Sequence, residues 1–217
     1  MDIYHRLNAF FGPRHWWPGD SPFEVMVGAI LTQNTSWRNV EKAIDNLSRL
    51  ALLTPEAIEA APTDTLAQAL RPSGYYNIKK DRLLSLVRLV LENGRGGADP
   101  EILRWPISKL RSALLEVKGI GPETADSIVL YAANKPSFVV DLYTRRLFSR
   151  HGLILGSESY QDIRSWFMEN LVCDAALFNQ YHALIVAAGN KLCKPKTPLC
   201  NMCPLGDDVF LDESLLV

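Results

Sequence analysis

Apolar residues recur at helical spacing along nearly the whole chain, and no stretch alternates convincingly with the two-residue period of a half-buried strand. The helical segments are separated by glycine and proline, for example at Arg71-Pro72 and at Gly94-Arg95-Gly96-Gly97. Thr54-Pro55 has the form of a helix start, with a capping threonine and proline at the first helical position. The pattern predicts an all-α protein of about ten helices.

The composition excludes fewer classes of protein than the helical periodicity does. The chain has 217 residues, 47% of them hydrophobic, enough for one large domain or two small ones that share a core. Its apolar runs are too short for a membrane span, and the N-terminus lacks a secretory signal pattern, so we expect an intracellular protein without a membrane partner. A net charge of −1 means that any DNA-binding surface must be local.

Two predicted helices, over 106–117 and 122–133, are joined by the sequence Lys118-Gly119-Ile120-Gly121. The glycines allow a tight reversal with positive φ and leave no side chain that would keep a ligand away. The second helix opens with unpaired N–H groups and a positive dipole end, which suit a phosphate oxygen. We predict a phosphate-binding turn; an ordinary corner between two helices is the alternative interpretation.

The other residues of this turn fit the same prediction. Lys118 can add positive charge beside it, and Ile120 can point inward to anchor it. The main-chain carbonyls could also hold a monovalent cation that bridges to the phosphate. A turn of this kind contacts the DNA backbone rather than the bases, so it binds double-stranded DNA without reading its sequence.

Asp141 follows three apolar residues and begins a predicted helix over 141–151. Taken alone, it is a plain helix N-cap. Together, however, the sequences GIGPETAD (119–126) and VVDLYTRRLFSRHG (139–152) resemble the endonuclease III superfamily of helix-hairpin-helix DNA glycosylases. The resemblance extends from about Phe23 to Cys203 and implies that Asp141 is the catalytic carboxylate.

The same resemblance implies a layout and a set of DNA contacts. Two helical subdomains are expected, one over 22–133 and one combining 1–21 with 134–217, with a cleft between them that receives DNA and the flipped base. The protein would act as a monomer on double-stranded DNA that contains a damaged base. The residues expected to contact DNA are those of a wedge loop and of the hairpin with the helix start after it: Gln33, Asn34, Lys118, Gly119, Ile120, Gly121, Glu123 and Thr124.

Glu123 marks a departure from part of this family. Bifunctional members carry a lysine two residues after the second hairpin glycine, which attacks the sugar to form a Schiff base before strand cleavage. Here that position is Glu123, so we predict a monofunctional glycosylase that leaves an abasic site. The alternatives are an endonuclease III-like glycosylase and lyase acting on oxidised pyrimidines, and a non-catalytic helix-hairpin-helix DNA-binding module.

Three tryptophans point to the substrate class. Trp16, Trp17 and Trp37, together with the segment 71–77, resemble the 3-methyladenine DNA glycosylase III subgroup, in which aromatic residues at these positions line the base pocket. Electron-rich indoles attract cationic alkylated purines by about 0.5–2 kcal/mol. The alternative interpretation is that the tryptophans tie the N-terminus to the core.

The C-terminal cysteines are spaced Cys193-x6-Cys200-x2-Cys203, which resembles the first three ligands of the family's [4Fe-4S] loop. The expected fourth position is Val209. Three interpretations stay open: a cluster completed by Cys173, an acid at 207 or 208, or solvent; a loop that folds without metal; or a zinc site. Cys173 itself is predicted to be a packed thiol.

A basic turn at the start of the helix predicted over 79–93 contains Lys79, Lys80 and Arg82. It is predicted either to face solvent or to meet phosphate. The four histidines are scattered, without the spacing of a metal site, and receive no role.

Overall fold

A computed structural model describes residues 1–206 of the protein. Within that range the chain forms eleven α-helices and no strand, so the prediction of an all-α protein is confirmed. The helices are α1 (Asp2–Phe11), α2 (Pro22–Leu31), α3 (Trp37–Arg49), α4 (Pro55–Ala60), α5 (Thr63–Leu70), α6 (Tyr76–Glu92), α7 (Ile107–Glu116), α8 (Pro122–Ser127), α9 (Leu142–Arg150), α10 (Tyr160–Asn170) and α11 (Ala175–Lys191).

Short irregular turns complete the secondary structure. Arg71–Ser73, Glu101–Arg104 and Cys200–Met202 are 3₁₀ turns, and α8 continues into a π-helical turn over Ile128–Ala132. The helix predicted over 122–133 is therefore one continuous rod with a change of winding. None of the helices in the described residues is both long and apolar enough to cross a lipid bilayer.

Residue contacts divide the chain into two compact units. One runs from Trp17 to Lys135 and contains α2 to α8. The other combines Met1–Trp16 with the chain from Pro136 onward and contains α1 and α9 to α11.

Helix α2 is the centre of the Trp17–Lys135 unit. Every residue of α2 after Pro22 except Glu24 is buried, because the helix packs on α3, α6 and the π turn. Ser21 caps its start by accepting a hydrogen bond from the Glu24 amide (3.2 Å), with Pro22 at the first helical position.

An ion pair joins the two helices on either side of the predicted hairpin. Arg111 of α7 donates two hydrogen bonds to the Asp126 carboxylate of α8, at 2.8 and 3.0 Å, and Asp126 is fully buried. A bidentate pair of this kind fixes direction as well as distance. It therefore holds α7 and α8 in a fixed relation on either side of the turn between them.

The other unit is built around aromatic side chains. Phe138 stacks on Phe167 with ring centroids 3.8 Å apart, and Phe148 meets Phe167 edge to face. Helix α11 packs against α1 and α9, and its Tyr181 closes the cluster. This core positions the start of α9, where Asp141 lies.

Candidate active site

The predicted hairpin between α7 and α8 forms a tight turn. Gly119 has a φ of +89°, a backbone conformation that L residues with side chains rarely adopt, whereas Gly121 has an ordinary φ of −91°. Ile120 points inward and is only 5% exposed, and Lys118 and Glu123 are exposed. The turn thus presents backbone and a lysine to solvent while its apolar residue anchors it.

Gln33, from the loop after α2, contacts this hairpin. Its side-chain amide nitrogen donates to the carbonyl of Gly119 (3.2 Å) and to the hydroxyl of Thr124 (3.0 Å). Its side-chain oxygen accepts a hydrogen bond from the guanidinium of Arg82. The structure therefore brings together Gln33, Gly119 and Thr124, three residues predicted from different parts of the sequence.

Two exposed residues with positive φ lie in loops of the Trp17–Lys135 unit. Asn34 is exposed at φ 55°, next to Gln33. Tyr75 is 70% exposed at φ 45°, in the turn that precedes α6. An exposed aromatic residue held in a strained conformation is a candidate for stacking on bases. Sequence reasoning gave Tyr75 no role, although its position after Gly74 marks a turn.

Lys79 corrects the prediction of a solvent-facing or phosphate-contacting basic turn. Its side chain is only 1% exposed, and its ammonium group donates to the carbonyls of Leu31 (2.9 Å) and Ser73 (2.6 Å). Burial, with a smaller contribution from Arg82, lowers the pKa of Lys79 to about 8. The lysine faces inward because it satisfies the backbone of two loops, those that carry Asn34 and Tyr75.

Asp141 caps α9 in the other unit, and its carboxylate is held by neighbours. Oδ1 accepts from the backbone amide (2.7 Å) and the hydroxyl (2.9 Å) of Thr144. The side chain is 12% exposed. Burial acts to raise the pKa of Asp141, but His182 and the hydrogen bonds from Thr144 outweigh burial and hold the pKa below its ordinary value. The group is therefore a carboxylate at neutral pH.

His182 of α11 is the residue that sequence reasoning missed at this site. Its Nε2 lies 3.6 Å from Oδ2 of Asp141, and the ring is 6% exposed. The two residues are 41 positions apart, and a single histidine without metal spacing carries no signal of this role. Only the packing of α9 on α11 brings the ring to the carboxylate.

Trp17 and Trp37 meet edge to face, with ring centroids 5.2 Å apart. Both are half-buried, and they line a cavity of about 140 Å³. Three acidic side chains line the same cavity: Glu24, Glu41 and Asp45. Burial raises the pKa of Glu24, and Trp37 donates to Glu41 (2.8 Å). Trp16 is half-buried and ends the N-terminal segment of the other unit.

A second cavity, of about 130 Å³, is lined by the predicted cluster ligands Cys193, Cys200 and Cys203. Arg150 Nη1 donates to the sulfur of Cys193 (3.2 Å). Cys173 does not line this cavity, and it is exposed, contrary to the prediction of a packed thiol.

These cysteines do not fit a four-thiolate cluster. They supply three sulfurs, and a guanidinium lies against one of them. In residues 1–206 no group of three or more His, Cys, Asp or Glu side chains is arranged to hold a metal ion. Val209 and the acids at 207 and 208 lie outside the described residues.

Comparison with known proteins identifies the family to which the chain belongs. The family model described as HhH-GPD superfamily base excision DNA repair protein matches residues 27–172. A protein of Methanocaldococcus jannaschii, provisionally named a DNA repair glycosylase, is 44% identical over 203 residues, which cover 94% of this chain and 92% of the relative. Endonuclease III of Sulfolobus acidocaldarius is 28% identical and covers 85% of this chain and 80% of its own.

Solved structures share the fold. The 3-methyladenine DNA glycosylase (MagIII) of H. pylori bound to 1,N6-ethenoadenine superimposes with a TM-score of 0.75 at 27% identity, over 88% of this chain and 96% of the other. A non-covalent endonuclease III–DNA complex reaches a TM-score of 0.79 at 22% identity, over 94% and 90% of the two chains. With its matching family model and its close relative, the chain is a member of the HhH-GPD superfamily of base-excision DNA repair glycosylases.

Proposed function

We propose that this glycosylase releases N-alkylated, positively charged purines, such as 3-methyladenine, by hydrolysis and without strand cleavage. The observation that carries the choice of substrate is the cavity lined by Trp17, Trp37 and the acids Glu24, Glu41 and Asp45. Indole faces attract cations, and neighbouring carboxylates add to that attraction. A cavity of this composition favours a cationic base over a neutral oxidised pyrimidine.

The chemistry of the leaving group supports the same choice. An N-alkylated purine is already cationic, so it can depart without a dedicated acid to protonate it. Asp141 is a single carboxylate beside Thr144 and His182, and within residues 1–206 no second carboxylate is among its contacts. A site with one carboxylate suits a substrate that needs no general acid. The H. pylori relative named a 3-methyladenine DNA glycosylase points to purines as well.

In this proposal Asp141 acts on the sugar. Breaking the N-glycosidic bond gives the sugar oxocarbenium character, and an ionised carboxylate stabilises that charge and orients the attacking water. Because the pKa of Asp141 is held below its ordinary value, the carboxylate is ionised at neutral pH. Thr144 occupies Oδ1 and fixes the orientation of the group.

The remaining predicted residues, together with Tyr75, supply DNA binding. The hairpin Lys118–Gly121 and the start of α8 grip the phosphate backbone, and the Gln33 loop with Asn34 and Tyr75 supports the DNA from which a base has left the stack. Glu123 is exposed at the position of the lyase lysine, and a carboxylate cannot form a Schiff base. The product is therefore an abasic site in an intact strand.

A panel of duplexes tests this function, each with one lesion: 3-methyladenine, 7-methylguanine, ethenoadenine, hypoxanthine or an oxidised pyrimidine. Released base and strand cleavage are measured separately, and borohydride is added to trap any Schiff base. We expect release of the cationic purines, intact strands before alkali, and no covalent adduct. Activity on oxidised pyrimidines alone would refute the substrate, and a trapped adduct would refute the monofunctional chemistry. Failure to release any base would favour a DNA-binding module.

A further inference from the structure

Arg82 of α6 lies directly beneath the hairpin. A Cβ added at Gly119 would lie only 2.5 Å from Cγ and Nε of Arg82, so the arginine stem fills the space that a side chain at 119 would need. Position 119 therefore requires glycine for two reasons: the backbone there has a positive φ, and the arginine stem lies too close to leave room for a side chain. The arginine packs against the turn itself, and it is half-buried there.

The guanidinium at the end of the same stem reaches the Gln33 loop. It donates to the side-chain oxygen of Gln33, whose nitrogen donates back to Gly119 and Thr124. Arg82, Gln33 and the hairpin therefore form a closed set of contacts that joins three segments distant in sequence. Both polar ends of the Gln33 amide are engaged in it, which fixes the orientation of that amide.

We propose that Arg82 is a positioning residue that holds the Gln33 loop and the hairpin in one fixed geometry. In that geometry the hairpin binds phosphate while the Gln33 loop supports the position that the flipped base has left. The proposal rests on the assignment of both elements to DNA binding in the proposed function. It predicts that Arg82 matters more for DNA that lacks a base than for intact duplex, because only the former engages both elements.

The test measures the affinity of the protein for two duplexes, one undamaged and one with a tetrahydrofuran abasic analogue. Arg82→Met keeps the stem beneath Gly119 and removes the guanidinium, and Gln33→Met removes the amide. Each variant should bind the abasic duplex more weakly, by at most about tenfold, because the free energy of one charge-assisted hydrogen bond within the protein sets the upper limit. Binding of Arg82→Met to undamaged duplex should change by less than about twofold, and on the abasic duplex the double variant should be no weaker than either single one.

Arg82→Lys keeps the positive charge but replaces the guanidinium, so it distinguishes a positioning role of Arg82 from a charge contact with phosphate. If Arg82 is a phosphate contact instead, Arg82→Met will weaken both duplexes equally and reduce the salt dependence, and Arg82→Lys will restore both. That result, or additive losses in the double variant, would overturn the proposal. So would a wild-type protein with no preference for the abasic duplex, and base release measured separately keeps that outcome distinct from failure of the proposed function.

Thr124→Val provides a variant that does not depend on the folding of Arg82→Met. It removes the hydroxyl that accepts from Gln33 and keeps the shape of the side chain, whereas Thr124→Ser keeps the hydroxyl. We expect Thr124→Val to lose part of the abasic preference and Thr124→Ser to retain it. Equal behaviour of the two variants would contradict the proposed link.

Discussion

Nε2 of His182 lies 3.6 Å from Oδ2 of Asp141, on the side of the carboxylate opposite the hydrogen bonds from Thr144. The carboxylate is thus held at Oδ1 by a backbone amide and a hydroxyl, and its Oδ2 faces an imidazole. When His182 is protonated, the pair also places a positive charge beside a nearly buried acid, which favours its ionised form.

The pH dependence of base release should depend on His182. Burial raises the pKa of Asp141, and His182 is the largest influence that lowers it, so His182→Gln should raise that pKa. The acid limb of the single-turnover rate should therefore move to higher pH. His151→Gln, another buried histidine, is the matched control and should leave the limb in place. A limb unmoved by His182→Gln would show that the imidazole does not set the ionisation of Asp141.

The lowered pKa of Asp141 also makes the stability of the folded state depend on pH. The lowered pKa means that the contacts of Asp141 stabilise the folded state above the ordinary carboxyl value of 3.8, and that this contribution is lost as pH falls through the lower folded value. The loss should be smaller in His182→Gln, as measured by urea unfolding at acidic pH.

Asp141→Asn separates catalysis from folding. Asparagine is as good an N-cap as aspartate, so the variant should fold and DNA binding should persist, although the stability that the ionised carboxylate contributes is lost. Base release should fall by roughly 10²- to 10⁴-fold, since the negative charge is lost. Asp174→Asn is the matched control, because Asp174 caps α11 in the same way by accepting from Leu177. Retained activity in Asp141→Asn would remove Asp141 from the mechanism.

The parts of this site that sequence could predict are those encoded locally. The turn at Gly119 needs only two glycines between helices, and Asp141 shows its capping role through the residues beside it. Gln33, Arg82 and Gly119 contact one another although up to 86 residues separate them along the chain, and the periodicity of the sequence does not predict such contacts. Lys79 shows why a pattern can mislead: a lysine in a basic turn is usually solvated, but here two buried carbonyls from other segments bind it.

Trp37 tests the choice of substrate. Trp37→Ala removes one indole from the acidic cavity, and the preference for a cationic purine over neutral hypoxanthine should fall by roughly 2- to 30-fold in kcat/KM. Trp37→Phe keeps an aromatic face and should retain part of that preference. An equal loss on both substrates would mean that Trp37 supports the fold or binds DNA without selecting charge.

The cysteine loop should stay folded without metal. Arg150 donates to the sulfur of Cys193 and to the carbonyls of Lys194 and Pro195, and Arg146 donates to the carbonyls of Cys193 and Gly189. Protein prepared without air from iron-supplied cells should lack the brown colour of an iron–sulfur cluster, and a chelator should leave its Tm unchanged. Arg150→Met should cost about 1–3 kcal/mol of stability. A brown protein that a chelator destabilises would contradict this prediction.

The last prediction concerns Lys79, whose pKa in the folded protein is about 8, compared with 10.5 for an ordinary lysine. Below pH 8 the lysine is protonated in both states, and its burial opposes folding. Between these two values the unfolded chain keeps a proton that the folded protein has released, so the free energy of unfolding rises with pH. The rise contributed by Lys79 should approach roughly 3 kcal/mol, at about 1.4 kcal/mol per pKa unit.

Urea unfolding of the wild type and Lys79→Met between about pH 7 and pH 10.5 measures this contribution as a difference. Lys79→Met leaves the carbonyls of Leu31 and Ser73 without their donor, a cost that does not change with pH. Only the wild type should therefore gain stability through this window relative to the variant. Lys42→Met, at an exposed lysine, should follow the wild type. A pH-independent difference between the wild type and Lys79→Met would show that Lys79 keeps an ordinary pKa, despite its burial against the two carbonyls.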